Sequence, residues 1–141
     1  MSLLYLDSCI IIYLIEGEPF FHQGARKALA EMRFKGARLA VTRLSKLECR
    51  VMPKRKGNLG LLDQYERFFA MPSLAWLDFS PEVFDLATDL RAFQNLKTPD
   101  ALHLAAAIHY GCAEFWTHDL RLKTAALNHL KIVNPFNSTK E

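Results

Sequence analysis

Two hydrophobic periods take turns along this chain. Leu3-Leu4-Tyr5-Leu6 is a short unbroken apolar run with a turn after it, the pattern of a buried strand. Residues 8–16 then read as a short helix. A longer helix follows, with Pro19 near its start and Gly36 at its end, the usual proline-first, glycine-last asymmetry. "RLAVT" (38–42) predicts a second strand, and residues 43–52 place Leu44, Leu47 and Val51 on one helical face. Charge, glycine and asparagine mark 54–60 as a loop. Residues 61–71 are helical, with Leu62, Tyr65 and Phe69 in register, and Pro72 stops them. "SLAWLDF" (73–79) predicts a third strand. Ser80-Pro81-Glu82 is an N-cap followed by proline, opening a helix to about Asn95. Thr98-Pro99-Asp100 repeats that signal for a helix to about Tyr110, closed by Gly111. Residues 113–117 and 130–133 predict a fourth and a fifth strand around a helix at 119–128, with a loose tail over 136–141.

Strands alternating with helices predict an α/β fold with a mostly parallel sheet of about five strands. Right-handed crossovers place helices on both faces. In such a sheet function gathers beyond the carboxyl ends of the strands, where the strand order reverses.

Composition narrows this further. A chain of 141 residues, half of them hydrophobic and 23% charged, is expected to form one globular domain over residues 1–135. Cys9, Cys49 and Cys112 are widely spaced, odd in number and set in apolar or helical surroundings, which predicts free thiols in a reducing compartment. The apolar run from Cys9 to Ile15 meets Glu16 at once, too short to cross a bilayer, and no basic segment precedes it. The expected location is the cytoplasm, with no membrane partner. A net charge of +3 permits a nucleic-acid partner without requiring one.

The candidate chemistry lies in four acids. Asp7 ends the first strand and Asp119 lies two residues past Thr117, at the end of the fourth. Glu48 sits in the helix after the second strand, and Asp100 in the first turn of the helix leading into the fourth. Each has a plain structural reading. Asp7 could cap the helix that opens at Ser8, and Asp119 the helix after it. Glu48 could close a capping box with Ser45, and Asp100 could complement a helix dipole. Four unrelated caps, however, have no reason to fall on one side of one sheet. Carboxylates brought that close repel, and a divalent cation removes the conflict. Oxygen-only ligands favour Mg²⁺ or Mn²⁺ over zinc.

The segments "LYLDSCIIIYLIE", "LAVTRLSKLEC", "KTPDALHLAAAIHYGC" and "FWTHDLRL" resemble the successive motifs of PIN-domain ribonucleases, most closely the VapC-type toxins of bacterial toxin–antitoxin pairs. The resemblance runs from Leu3 to about Asn134 and rests on four motifs in order and at compatible intervals. It implies a three-layer α/β/α fold and Mg²⁺- or Mn²⁺-dependent endoribonuclease activity. Asp7, Glu48, Asp100 and Asp119 become the catalytic and metal-binding quartet, with Ser8 and Thr117 as supporting hydroxyls. Asp7 and Asp100 are the core ligands, Asp119 stands close behind, and Glu48 acts through water or positions the nucleophile. The implied partners are RNA and a VapB-like antitoxin that wraps the toxin and occupies its site, in a homodimer or a toxin–antitoxin hetero-oligomer. The early apolar helices (10–15 and 19–34) could supply those interfaces. Two departures stand out. His118 occupies a position where the family often carries asparagine, and position 122 is leucine, where some relatives have a further acid.

Six cations, Arg43, Lys46, Arg50, Lys54, Arg55 and Lys56, surround the single acid Glu48, an RNA-backbone surface in prospect. His118 flanks Asp119 and is a candidate phosphate contact. His103, three residues after Asp100, reads as a histidine packed beneath the acid rather than a ligand of Mg²⁺. Three other readings compete. A haloacid-dehalogenase-like phosphatase needs a second acid two residues after Asp7, where this chain has Cys9. A non-catalytic RNA-binding module would have lost an acid of the quartet. A PIN nuclease of RNA processing, without an antitoxin, would carry the same residues.

Overall fold

A computed structural model describes residues 2–17, 19–126 and 128–135. The predicted tail at 136–141 lies outside them. Five strands form one sheet: β1 (Leu3–Leu6), β2 (Arg38–Val41), β3 (Ala75–Trp76), β4 (Glu114–Trp116) and β5 (Lys131–Val133). Their order is β3-β2-β1-β4-β5, and every pairing is parallel. The chain builds outward from β1 to β3, returns to the other flank of β1 and ends at β5. The order therefore reverses between β1 and β4, where a crevice forms beyond the strand ends.

Strand periodicity sorts the core into two layers. Leu4, Leu6, Leu39, Val41 and Trp116 point to one face and pack with Ile10, Ile11, Cys49, Tyr65 and Phe69. Those residues come from α1 (Ser8–Glu16), α3 (Arg43–Arg55) and α4 (Leu59–Phe69), with α2 (Pro19–Phe34) adding Leu29. Tyr5, Ala40 and Phe115 point to the other face, under α5 (Pro81–Gln94), α6 (Thr98–His109) and α7 (Leu122–Ala125). Helices thus cover both faces of the sheet, as its parallel pairing requires.

Local chemistry explains most boundaries. Ser80 caps α5 by accepting the Val83 N–H, with Pro81 in the first turn. Asn95 ends α5 in the left-handed region (φ 57°), which asparagine tolerates better than most residues. Gly111 at φ 73° turns the chain out of α6, and the Cys112 N–H donates back to the Ala107 carbonyl. Several expected boundaries move. Helix α4 spans Leu59–Phe69 rather than 61–71, because Asn58 caps it by accepting the Leu61 N–H, and the loop expected at 54–60 shrinks to residues 56–58. Helix α3 runs through Pro53 to Arg55, because a proline in the last turn forfeits only one backbone bond. Strand β3 shrinks to two residues at the sheet edge. Helix α7 spans only Leu122–Ala125. No helix of the described residues is long and apolar enough to cross a membrane.

The run Ala101–Ala107 decides how α6 sits. Ala101, Leu104, Ala105, Ala106 and Ala107 are all fully buried. Their short side chains let the helix lie close against Tyr5 and Phe115, whose rings stack at 5.2 Å. Full burial of one leucine stabilises by roughly 1.5–3 kcal/mol. Leu104→Ala leaves a cavity at the centre of this layer. We expect a loss of roughly 2–5 kcal/mol, read as a lower urea midpoint at unchanged slope.

Candidate active site

Asp7 leaves β1 at the reversal point. Its backbone N–H donates to the Trp116 carbonyl (3.0 Å) and extends the β1–β4 ladder by one residue. Its Oδ1 accepts the Ser8 N–H at 2.8 Å, which caps α1. Its Oδ2 accepts the Thr117 hydroxyl, also at 2.8 Å. One carboxylate serves as a helix cap and stands at the cleft; the two readings of Asp7 do not exclude each other.

Glu48 is not the partner of a capping box. The box at the start of α3 joins Thr42 and Ser45: the Ser45 N–H donates to the Thr42 hydroxyl and the Thr42 N–H to the Ser45 hydroxyl. This leaves Glu48, one turn further on, free to face the reversal point. Its Oε1 accepts the Ser8 hydroxyl (2.5 Å) and the Nε2–H of His103 (2.7 Å). Burial alone would raise its pKa, yet the His103 and Ser8 contacts hold it below the ordinary glutamate value.

His103 is buried beneath these acids, with Nε2 also 4.0 Å from Asp7 Oδ1. Its Nδ1 lies 2.5 Å from the Tyr5 hydroxyl. That oxygen lies 3.0 Å from the Thr42 hydroxyl and 3.3 Å from that of Ser45. The Nε2–H tautomer of His103 satisfies the chain. The carboxylate of Glu48 requires a proton on Nε2, and in that tautomer Nδ1 accepts the Tyr5 O–H. The Tyr5 oxygen then accepts from Thr42 and Ser45. Burial drives the Tyr5 pKa far up, so its hydroxyl keeps the proton it donates. Among the described residues no buried side-chain nitrogen or oxygen lacks a partner.

Asp119 is reached through Thr117, whose hydroxyl accepts the Asp119 N–H at 3.0 Å. Its carboxylate is gripped by Arg121, with Nε to Oδ1 at 2.8 Å and Nη2 to Oδ2 at 2.5 Å. That bidentate bond holds its pKa below the ordinary aspartate value. Asp100, in the first turn of α6, is pushed the other way. Burial raises its pKa first, and the charges of Asp7 and Asp119 add to the shift. Asp100 therefore carries the unresolved electrostatic conflict of the cluster.

Asp7, Glu48, Asp100 and Asp119 line one cleft of about 270 Å³. Ser8, Thr117 and His118 line it too, with Cys9, His103 and Arg121 completing the wall. Burial raises the Cys9 thiol to about 12, with the Asp7 charge adding to the effect, so it stays protonated. The basic segment lies elsewhere. Lys46 and Arg50 each reach Glu66 at 3.3 Å, and Arg43 lies over the Trp76 ring at 5.7 Å. Arg50, Lys54 and Arg55 line a separate groove of about 440 Å³ between α3 and α4. None of these cations lines the acidic cleft.

Sequence reasoning missed two participants. Tyr5 is 98 residues from His103, and its polar end was hidden in an apolar run. Arg121 was passed over, although its spacing two residues after Asp119 was a readable signal.

Among the described residues, no three His, Cys, Asp or Glu groups are already drawn together tightly enough to hold a metal ion. Internal donors hold Asp7, Glu48 and Asp119, as set out above. The donor set nonetheless suits a hard divalent cation. Both ring nitrogens of His103 are occupied, so the ligands on offer are oxygens. The raised pKa of Asp100 marks an excess of negative charge that such a cation offsets.

Residues 4–128 match the PIN domain family. No curated protein matches the sequence. Among solved structures, VapBC2 from Rickettsia felis bound to a promoter DNA fragment aligns with TM-score 0.77 at 18% identity, covering 94% of this chain and 98% of the other. A toxin–antitoxin complex from Klebsiella pneumoniae aligns with TM-score 0.68 at 23% identity, covering 96% and 98%. VapBC-1 from nontypeable Haemophilus influenzae aligns with TM-score 0.65 at 18% identity, covering 95% and 98%.

The charge conflict at Asp100 has a measurable cost. Its raised pKa means that its stabilising share is full below the unfolded value and is lost as pH rises through the folded one. Asp100→Asn removes that loss. With EDTA present, we expect the variant to melt roughly 2–4 °C above the native protein at pH 7. The gain should vanish near pH 3, where the native Asp100 is itself protonated. Calorimetry at the two pH values checks this.

Proposed function

The chain belongs to the PIN-domain family, and on that premise we propose that it is a Mg²⁺- or Mn²⁺-dependent endoribonuclease of the VapC toxin kind. The observation that carries the proposal is the convergence of four acids, from the end of β1, the body of α3, the first turn of α6 and the loop after β4, on the cleft beyond β1 and β4. Asp7, Asp100 and Asp119 are the metal ligands, and Glu48 holds the attacking water or ligates through it. When bound, the ion supplies Lewis-acid polarisation of the scissile phosphate and eases ionisation of water near neutral pH. The nuclease unit spans residues 1–135.

The remaining groups prepare these acids. Ser8 and His103 fix the Glu48 carboxylate from two directions, so it keeps its charge and its angle. Thr117 holds Asp7 through a side-chain bond and Asp119 through a backbone bond, setting the two acids in a common frame. His118 is exposed at the rim, edge-on to Tyr13 at 5.9 Å, and is placed to meet phosphate. Arg121 offsets part of the charge of Asp119 through a bidentate ion pair.

We further propose a VapB-like antitoxin as the silencing partner, in a hetero-oligomer or with a toxin dimer. The support is that this fold is shared with proteins solved as toxin–antitoxin complexes. The groove between α1, α2 and α4, lined by Leu14, Leu29, Phe68 and Met71, offers such a partner apolar area.

Two experiments test the reading. Total RNA incubated with native protein should be cut in Mg²⁺ or Mn²⁺ and left intact in EDTA. Asp7→Asn should cut roughly a hundredfold more slowly or worse; equal cleavage by both proteins overturns the metal-nuclease assignment. In cells, induction of the native chain should arrest growth and Asp100→Asn should restore it, scored by plating. Arrest that persists at full strength in that variant removes Asp100 from the site.

A further inference from the structure

A second cleft, of about 370 Å³, adjoins the acidic one and shares Asp100 and Arg121 with it. Its other walls are Gln94, Asn95, Leu96, Lys97 and Leu122, from the turn between α5 and α6 and the start of α7. We propose that this cleft is the subsite for the nucleotide next to the scissile phosphate, and that an unpaired RNA strand leaves the acids on this side rather than along the basic stripe of α3. The inference rests on the nuclease reading and adds to it a direction for the substrate and residues that select it.

Chemistry and continuity favour this path. A polyanion crossing an acidic rim needs cations beside it. Lys97 is exposed and makes no ion pair among the described residues. Arg121 spends two of its five N–H groups on Asp119, leaving three for phosphate oxygens. On α3, Lys46 and Arg50 pair with Glu66, and the groove lined by Arg50, Lys54 and Arg55 shares no residue with the acidic cleft. The volume lies at the small end of the range for ligand sites, the scale of one nucleotide rather than of a helix.

The wall is also built to discriminate. Leu96, half-buried at the cleft, gives an apolar side for the face of a base. Gln94 and Asn95 also line it, and a side-chain amide carries two donors and an acceptor, the means by which unstacked RNA bases are read. The turn holding them is pinned, since Arg91 Nε donates to the Leu96 carbonyl at 3.0 Å. Asn95 keeps its left-handed backbone within that turn.

The test uses the full chain, a fluorescein-labelled ten-nucleotide RNA of mixed sequence, and the variants Lys97→Ala, Asn95→Gly and Lys54→Ala. Glycine retains the left-handed conformation at 95, so only the amide is lost. Anisotropy titrations in EDTA over a range of KCl read affinity and salt slope. Sequencing of cleavage ends in Mn²⁺ reads base preference at each side of the cut. We expect Lys97→Ala to bind roughly 3–10-fold more weakly with a salt slope shallower by about 0.7, one phosphate contact on a single strand. Asn95→Gly should flatten base preference on one side of the cut only. Native affinity, slope and preference in both variants, beside a native protein that cuts RNA, overturn the subsite alone. A larger loss in Lys54→Ala than in Lys97→Ala overturns the path. A native protein that neither binds nor cuts RNA overturns the nuclease reading and the subsite with it.

Discussion

Carboxylates that share a cleft must be neutralised, and most of this molecule can be read as the means of doing so. An all-parallel sheet with β1 at its centre brings Asp7 and Asp119 to one crevice, because β1 and β4 are hydrogen-bonded neighbours. Helices α3 and α6 add Glu48 and Asp100 from opposite faces. Each acid is then balanced differently. Asp7 takes a helix N–H and a hydroxyl, Glu48 an imidazole and a hydroxyl, and Asp119 a guanidinium. Asp100 bears what is left over. The balance is uneven by construction, and Asp100 is left with the least compensation.

The buried pair of Tyr5 and His103 links this chemistry to the core. Tyr5 belongs to the sheet and stacks on Phe115, while its hydroxyl reaches His103 on α6. His103 in turn fixes Glu48 on α3. A helix on each face of the sheet is thereby tied to β1 through three side chains, with Glu48 at the cleft and the Tyr5–His103 bond in the buried interior. Such a bond is worth more there than at the surface, and breaking it would leave an unpaired buried atom.

Local rules made much of this legible. The alternation of strands and helices, the Ser80-Pro81 and Thr98-Pro99 starts and the acids at strand ends were all plain in short windows of sequence. What escaped depends on competition between neighbouring signals or on distance along the chain. Thr42 and Ser45 lie only three residues apart, but S-x-x-E at Ser45–Glu48 offered a rival capping box, and the structure uses the Thr42–Ser45 pair. Helix α3 continued past Pro53 because packing of the whole helix outweighs one lost bond. The basic run near Glu48 looked like the flank of the site, yet helical rotation turns Lys46 and Arg50 toward Glu66 on α4. Charge density along a sequence does not specify which face of a helix carries it.

The alanines of α6 give the site its depth. With Ala105, Ala106 and Ala107 wholly buried, the distance from sheet to helix axis is set by methyl groups. Asp100 and His103 ride on that same helix, so their height over the strand ends is fixed by residues that touch nothing reactive. The alanine run is a shim: thickening it by one side chain would tilt the acid out of its cleft and slacken the bond to Tyr5. Part of the accuracy of the chemistry is thus written in the plainest stretch of the chain.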